Sequence, residues 1–314
     1  MTQLKRIVFM GTPDFAVASL KALHESEHHV VGVVTVADKP AGRGRKLKAS
    51  AVKEYAVAHD IPLLQPLKLK DPEFTDALKA WNADLFAVVA FRMLPEVVWQ
   101  MPKYGTINLH GSLLPDYRGA APIHWAVMNG DERTGCSTFF IEKEIDTGNI
   151  LKQAEFAIGV NDTTGDVHDT MKEMGAALLV ETCTNVFSGT IEAVPQNQFD
   201  LSNFRPAPKL FKEDCQLDWS KPASQIHNFI RGLNPFPSAW TFLGESTYKI
   251  HFGIPTERTS NANPGSIIQD KEGMYVVCGD HKLYSILVLQ PQGKRRLEVA
   301  DFILGHDLNN EVFS

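Results

Sequence analysis

The chain has 314 residues, of which 44% are hydrophobic and 22% charged, with a formal net charge of −6 at pH 7. This is the make-up of an ordinary soluble globular protein, and the net negative charge argues weakly against a nucleic-acid binder. The longest apolar runs, such as DLFAVVAF, are too short to span a bilayer, and MTQLKRIVFMG lacks the long apolar segment of a secretory leader.

Four cysteines (Cys136, Cys183, Cys215, Cys278) lie far apart with no C-x-x-C pair, so free thiols in a reducing, cytoplasmic setting are expected. The charge is unevenly spread. From Arg205 onward there are 12 basic and 12 acidic residues, so the first 204 residues carry the whole acidic excess. Inside that acidic part lies DKPAGRGRKLK, residues 38–48, with five basic residues and one acid.

The first half alternates apolar runs with amphipathic stretches. RIVFM predicts a strand and GTPDF its turn into a helix, with Thr12 as N-cap, Pro13 at the first helical position and Asp14 at the positive end of the helix dipole. HVVGVVTV predicts a strand, and the basic loop follows. SAVKEYAVAHD predicts a helix capped by Ser50, IPLLQP an extended piece, and DPEFTDALKAWNA a third helix. DLFAVVAF has the continuous apolar character of a strand buried on both faces. TINLH is the next strand, followed by a helix through HWAVMNG, a strand at CSTFFIE, and a long helix over roughly 163–187. This alternation predicts an α/β class: an open, mostly parallel Rossmann-like sheet with helices on both faces. After SGTIEAVPQNQ the composition becomes that of a linker. One more helix (PASQIHNFIRGL) precedes short β-rich runs set off by Gly, Pro and Asn, which predict a small β-barrel. The expected organisation is a first domain over 1–189, a linker over 190–207 and a second domain over 208–314.

The chemistry concentrates in INLHGSLLPDYRGAAP. Asn108 and His110 lie two apart, so on a strand their side chains share one face. Ligands of open α/β sheets bind outside the carboxyl ends of the strands. The phosphate-binding motifs G-x-G-x-x-G and G-x-x-x-x-G-K-[ST] are missing. Asp146 follows the run STFFI, and if that run is the next strand, Asp146 emerges on the same rim as His110. An Asn N–H can hold an oxyanion, a histidine can move a proton, and a carboxylate can orient the imidazole and favour its cation. Ser112 has no G-x-S-x-G context. The trio therefore suits attack by a substrate's own nucleophile on a carbonyl-like carbon, without a covalent enzyme intermediate. Plainer readings stand beside this one. His110 and Asn108 can be structural at a strand end, Asp146 a turn residue, and the basic stretch a solvated loop. His24, His28 and His29 resemble a metal cluster but come without carboxylates, and no metal is expected.

N-x-H-G-S-L-L-P, then Y-R-G-A-A-P, then D-T-G-x-I about thirty residues on, resembles the formyltetrahydrofolate-dependent formyltransferases. GTPDFA, DKPAGRGRKLK and GLNPFPSAW are similar to the tRNA-acting members of that family, and the resemblance runs in order along nearly the whole chain. It implies transfer of a formyl group from 10-formyltetrahydrofolate to an amine, here the α-amino group of methionine on initiator Met-tRNA. By match to the motif, Asn108, His110 and Asp146 are the catalytic trio. Asn108 and His110 stabilise the oxyanion, and Asp146 holds His110. Ser112, Leu113, Leu114 and Pro115 line the folate site. Lys39, Arg43, Arg45, Lys46 and Lys48 reach the tRNA, with Lys294, Arg295 and Arg296 as a second patch. The second domain is expected to be OB-like and tRNA-binding, and the protein to act as a monomer away from any membrane. One departure stands out. Phe91-Arg92-Met93 is one residue shorter than the family's usual tyrosine-glycine segment, next to the folate pocket. An amino sugar or water as acceptor, or a non-catalytic RNA-binding role, remain as alternatives.

Overall fold

The computed structural model describes residues 4–41 and 46–314. They form two compact units. One consists of the chain up to Gly119 with Gly135–Phe156 and His168–Pro206. The other consists of Ala120–Thr134, Ala157–Val167 and Ala207–Ser314.

The first unit is built in the expected alternation. Strand β1 (Arg6–Gly11) leads to helix α1 (Asp14–His24), and β2 (His29–Val34) follows. Pro13 is the N-cap residue of α1, so the helix starts one residue later than the caps in the sequence imply. The basic stretch is flanked by two short strands, β3 (Lys39–Ala41) and β4 (Lys46–Lys48), paired antiparallel. Helix α2 (Ala51–Ala58) is capped by Ser50, whose hydroxyl accepts the Lys53 N–H, and β5 (Leu63–Leu64) follows. Helix α3 (Pro72–Ala80) starts on Asp71, whose carboxylate accepts the Glu73 N–H, with proline in the first turn. Next along the chain come β6 (Leu85–Val89), α4 (Glu96–Trp99), β7 (Thr106–His110), α5 (Pro122–Met128), which belongs to the second unit, and then β8 (Arg133–Phe140), β9 (Ile150–Ala157) and α6 (Thr164–Ser188).

Among the described residues, one seven-stranded sheet runs in the order β5-β2-β1-β6-β7-β8-β9. The pairs from β5 to β7 are parallel, and β8 runs antiparallel to β7. On one face Val8, Met10, Phe86 and Val88 pack with Phe74 and Leu78 of α3 and Val98 of α4. On the opposite face Gly175 lets α6 approach Leu109 and Cys136, where a Cβ would lie 2.9 Å from a Leu109 methyl. Burying both faces is what makes β6 a continuous apolar run.

The second unit contains α7 (Ala223–Gly232) and strands β10 (Ala239–Leu243), β11 (Ser246–Thr259), β12 (Ile267–Gln269), β13 (Met274–Val277), β14 (Lys282–Pro291) and β15 (Leu297–Glu298), with α8 (Val299–Phe302). The main path of the sheet is β10-β11-β14-β13-β12, all antiparallel. Its two edges would be open templates for pairing. The C-terminus covers both: Phe313 bridges Leu243 of β10, and Val312 bridges Ser266 beside β12. The small barrel expected from the sequence is thus an antiparallel sheet bridged at its edges by the end of the chain. Its core is formed by residues such as Trp219, Ile230, Ile250, Tyr284 and Phe302.

Candidate active site

Strand β7 is held on both sides. Asn108 is paired with Val88 of β6 and Phe139 of β8, and His110 with Ser137. Residues two apart share a face, so Asn108 and His110 project together from the carboxyl end of a central strand. The Asn108 side chain is half-buried, and among the described residues nothing hydrogen-bonds its carboxamide. A half-buried amide with free donors beside an imidazole is ready for a ligand.

His110 is 6% exposed. Its Nε2 lies 2.8 Å from the Tyr117 carbonyl. A carbonyl only accepts, so Nε2 carries the hydrogen and donates it. The neutral ring then has its lone pair on Nδ1, which faces Asp146 Oδ2 at 3.7 Å. That is too long for a direct hydrogen bond, but it places the carboxylate against the ring edge that carries the lone pair. Tyr117 reaches this position with φ +60°, the left-handed region.

Asp146 arrives by another route than its sequence position suggests. The expectation was that the run STFFI delivers it to the rim of His110. Strand β8 is antiparallel, so its end lies beside the start of β7, where the Ile141 N–H donates to the Thr106 carbonyl. The hairpin loop 141–149 doubles back to bring Asp146 to His110. The Asp146 Oδ2 accepts the Gly119 N–H at 2.9 Å. Gly119 has φ +128° and Asp146 φ +55°. Gly148 permits the fold-back, since a Cβ there would lie 1.7 Å from the Phe140 oxygen. The Tyr117 carbonyl and the Gly119 amide were not singled out in the sequence, because backbone groups carry no residue signature.

The turn after His110 divides into support and surface. Ser112 is fully buried. Its hydroxyl donates to the Asp116 carbonyl at 2.6 Å, and its own carbonyl accepts from Ser137 Oγ at 2.7 Å. Leu114 packs with Phe139 and Ile150, and its carbonyl accepts from Gln153 Nε2 at 2.9 Å. Leu113 and Pro115 are only partly buried. Arg92, the departure noted in the sequence, donates from Nη1 to the Leu67 carbonyl at 3.0 Å and from Nη2 to the Pro66 carbonyl. It helps to line an open cleft of about 820 Å³ with Leu69, Met93, Leu94 and Val97.

Of the basic residues expected to meet tRNA, Arg43 and Arg45 lie outside the described residues. Lys46 lies on β4, and Lys39 and Lys48 are exposed and directly opposite each other across the β3–β4 pair. Lys294, Arg295 and Arg296 are exposed on the turn between β14 and β15. The histidines near the end of α1 make separate contacts, His24 with Tyr55 and His28 with Thr184. Among the described residues no group of three His, Cys, Asp or Glu side chains could hold a metal ion. No helix among them is long and apolar enough to cross a membrane.

Residues 5–183 match the model described as formyl transferase, and residues 209–307 the formyl transferase C-terminal domain. The chain is 48% identical over 309 residues to a methionyl-tRNA formyltransferase of Bacteroides fragilis, covering 96% of this chain and 95% of that one. It is 49% identical over 308 residues to the methionyl-tRNA formyltransferase of Parabacteroides distasonis, with coverage of 96% and 95%. Among solved structures, the N-formyltransferase from Helicobacter canadensis, in complex with folinic acid and dTDP-3-aminofucose, shares the fold. Its TM-score is 0.67 at 20% identity, over 90% of this chain and 99% of that one. The chain belongs to the formyl transferase family.

Proposed function

We propose that this protein transfers the formyl group of 10-formyltetrahydrofolate to the α-amino group of methionine on initiator Met-tRNA, in the cytoplasm. The observation that carries the reading is the unspent Asn108 carboxamide beside a histidine whose Nε2–H is already tied to the Tyr117 carbonyl. The relatives' printed activity and their near-complete coverage support it.

In this reading the amine attacks the formyl carbon directly, the bond from that carbon to N10 of the folate then breaks, and N10 takes up the proton the amine gives up as tetrahydrofolate leaves. The Asn108 N–H donors hold the oxygen that gains charge. His110 Nε2 is committed to the Tyr117 carbonyl, which leaves Nδ1 as the ring atom free to take part. Asp146, 3.7 Å from Nδ1, is a nearby acceptor for the amine's proton. The backbone amide of Gly119 orients the Asp146 carboxylate. Leu113 and Pro115 offer surface to the folate, while Ser112 and Leu114 hold the turn from behind. Lys39, Arg43, Arg45, Lys46 and Lys48 supply a local positive field to an otherwise acidic chain, and residues 208–314 act as the tRNA-binding domain.

The test is a formylation assay with 10-formyltetrahydrofolate and three acceptors: charged initiator Met-tRNA, charged elongator Met-tRNA and water. Rapid transfer to the initiator is expected. Deformylation of the folate without aminoacyl-tRNA transfer would overturn the substrate assignment.

A further inference from the structure

Gln196 follows Pro195 in the stretch whose composition reads as linker, yet it is 3% exposed. The chain is anchored there because Val194 and Ile150 exchange reciprocal backbone hydrogen bonds of 2.8 Å. The Gln196 amide uses all of its hydrogen-bonding capacity. Its Nε2 donates to the Asp146 carbonyl at 2.9 Å and to the Gly148 carbonyl at 2.8 Å. Its Oε1 accepts from Arg118 Nε at 3.0 Å and from Arg118 Nη2 at 2.6 Å. Arg118 also stands over the Phe204 ring, 5.4 Å from its centroid. A guanidinium spent on a neutral amide oxygen polarises that amide and strengthens its N–H donors.

The two carbonyls that Gln196 grips flank Thr147, in the loop that doubles back to His110. Asp146 holds a left-handed backbone conformation, which an L residue keeps only where its surroundings impose it. Gln196 supplies such a constraint through the two backbone carbonyls on either side of Thr147. A glutamate of the same size would turn lone pairs toward two carbonyls, and a methionine would offer no donor.

We propose that Gln196, braced by Arg118, is a positioning residue for formyl transfer: it clamps the Asp146–Gly148 turn so that the Asp146 carboxylate stays at His110. This rests on the reading of Asp146 as catalytic. The test uses Gln196→Met, Gln196→Glu, Asp146→Asn and the double variant Gln196→Met/Asp146→Asn. Rates are measured in single turnover with enzyme in excess, together with KM for both substrates and thermal unfolding. Each Gln196 variant should lower the rate about 10- to 100-fold, the range expected for a misplaced catalytic group, with KM little changed. In the Asp146→Asn background the same Gln196→Met change should cost less than about threefold, because the group it positions is gone. An equal loss in both backgrounds, or a lowered unfolding temperature with an unchanged rate, would overturn the positioning role. If Gln196→Met does not fold, Gln196→Glu, which keeps the Arg118 partner, takes its place in the cycle. Full activity of Asp146→Asn would instead refute the catalytic reading. An inactive Asp146→Asn beside a fully active Gln196→Met would refute only the positioning role.

Discussion

The Asp146 carboxylate stands 3.7 Å from His110 Nδ1 even though the strand that precedes it ends beside Thr106, at the opposite end of β7. The approach depends on a loop that turns back against its own strand, and Gly148 is where it touches. A Cβ at this position would lie 1.7 Å from the Phe140 carbonyl oxygen, so Gly148→Ala must displace the turn. The expected result is a fall in kcat of about 100-fold with KM nearly unchanged. A stability loss of about 1–3 kcal/mol, typical of overpacking, should accompany it. Steady-state kinetics and urea unfolding of the variant measure both. A Gly148→Ala enzyme with normal kcat would mean that the position of Asp146 does not matter to the reaction.

Much of this site was legible in the sequence, and the part that was not has a physical reason. Asn108 and His110 sit two apart on a strand, and period-two geometry puts them on one face without further information. Ser50 and Asp71 cap their helices as their types suggest. The direction of β8 could not be read, because an apolar run looks the same whichever way it pairs. The route of Asp146 to the site followed from that direction. Strand β9, half-exposed and rich in polar residues, carried too weak a pattern to be noticed. Gln196 was hidden for a different reason: Pro, Asn and Gln mark linkers on average, but one buried amide among them can still be structural. Its partners are backbone carbonyls more than forty residues away in sequence.

The paired lysines of β3 and β4 offer a test of the proposed tRNA contact. Lys39 and Lys48 face each other directly across β3 and β4, an arrangement that is unfavourable for the isolated protein. A polyanion in contact with this edge would relieve it. Replacing both by alanine should raise the KM for Met-tRNA and leave the KM for 10-formyltetrahydrofolate unchanged. If each lysine meets a phosphate, the slope of log affinity against log salt should fall by about 1 per lysine removed. A parallel loss of affinity for both substrates would point to damage of the fold. An unchanged salt slope would remove the hairpin from the footprint.

The four cysteines should be chemically silent in the native protein. All are free and buried. Burial pushes the thiols of Cys136, Cys183 and Cys278 up to about 12, and for Cys278 the charge of Asp280 adds to the effect. Cys215 is raised as well, by burial first and then by Asp214 and Glu213. The thiolate is the reactive species, so at pH 8 a disulfide reagent should find no fast-reacting thiol in the folded enzyme and four after unfolding in urea. Activity should survive the native treatment. A single rapid equivalent in the native state would show that one of these sites opens far more easily than its packing implies.

Three buried histidines set the pH dependence of stability near neutrality. His28, His227 and His251 all have their pKa lowered, in each case mainly by burial. Glu27 partly opposes the shift at His28, the Val160 carbonyl opposes it at His227, and Gln290 opposes it at His251. A group that binds its proton less tightly when folded makes the unfolded chain the better proton acceptor. Its contribution is complete above the unfolded value of about 6.5 and declines as pH falls from there toward the folded pKa. The paired carboxylates do not interfere in this window. Asp38, lowered by Lys53 and Gln65, and Asp270, lowered by Arg258, change the balance only near and below 3.8. Urea unfolding should therefore show stability flat between pH 7.5 and 8.5 and falling between pH 6.5 and 5. The slope should not exceed about 1.4 kcal/mol per pH unit for each imidazole that takes up a proton on unfolding. Replacing His28 and His227 by glutamine, which offers hydrogen bonds but does not titrate, should flatten that decline while leaving the acid limb below pH 4 in place. A wild-type profile that is level from pH 8 to pH 5 would mean that these imidazoles stay protonatable in the folded protein.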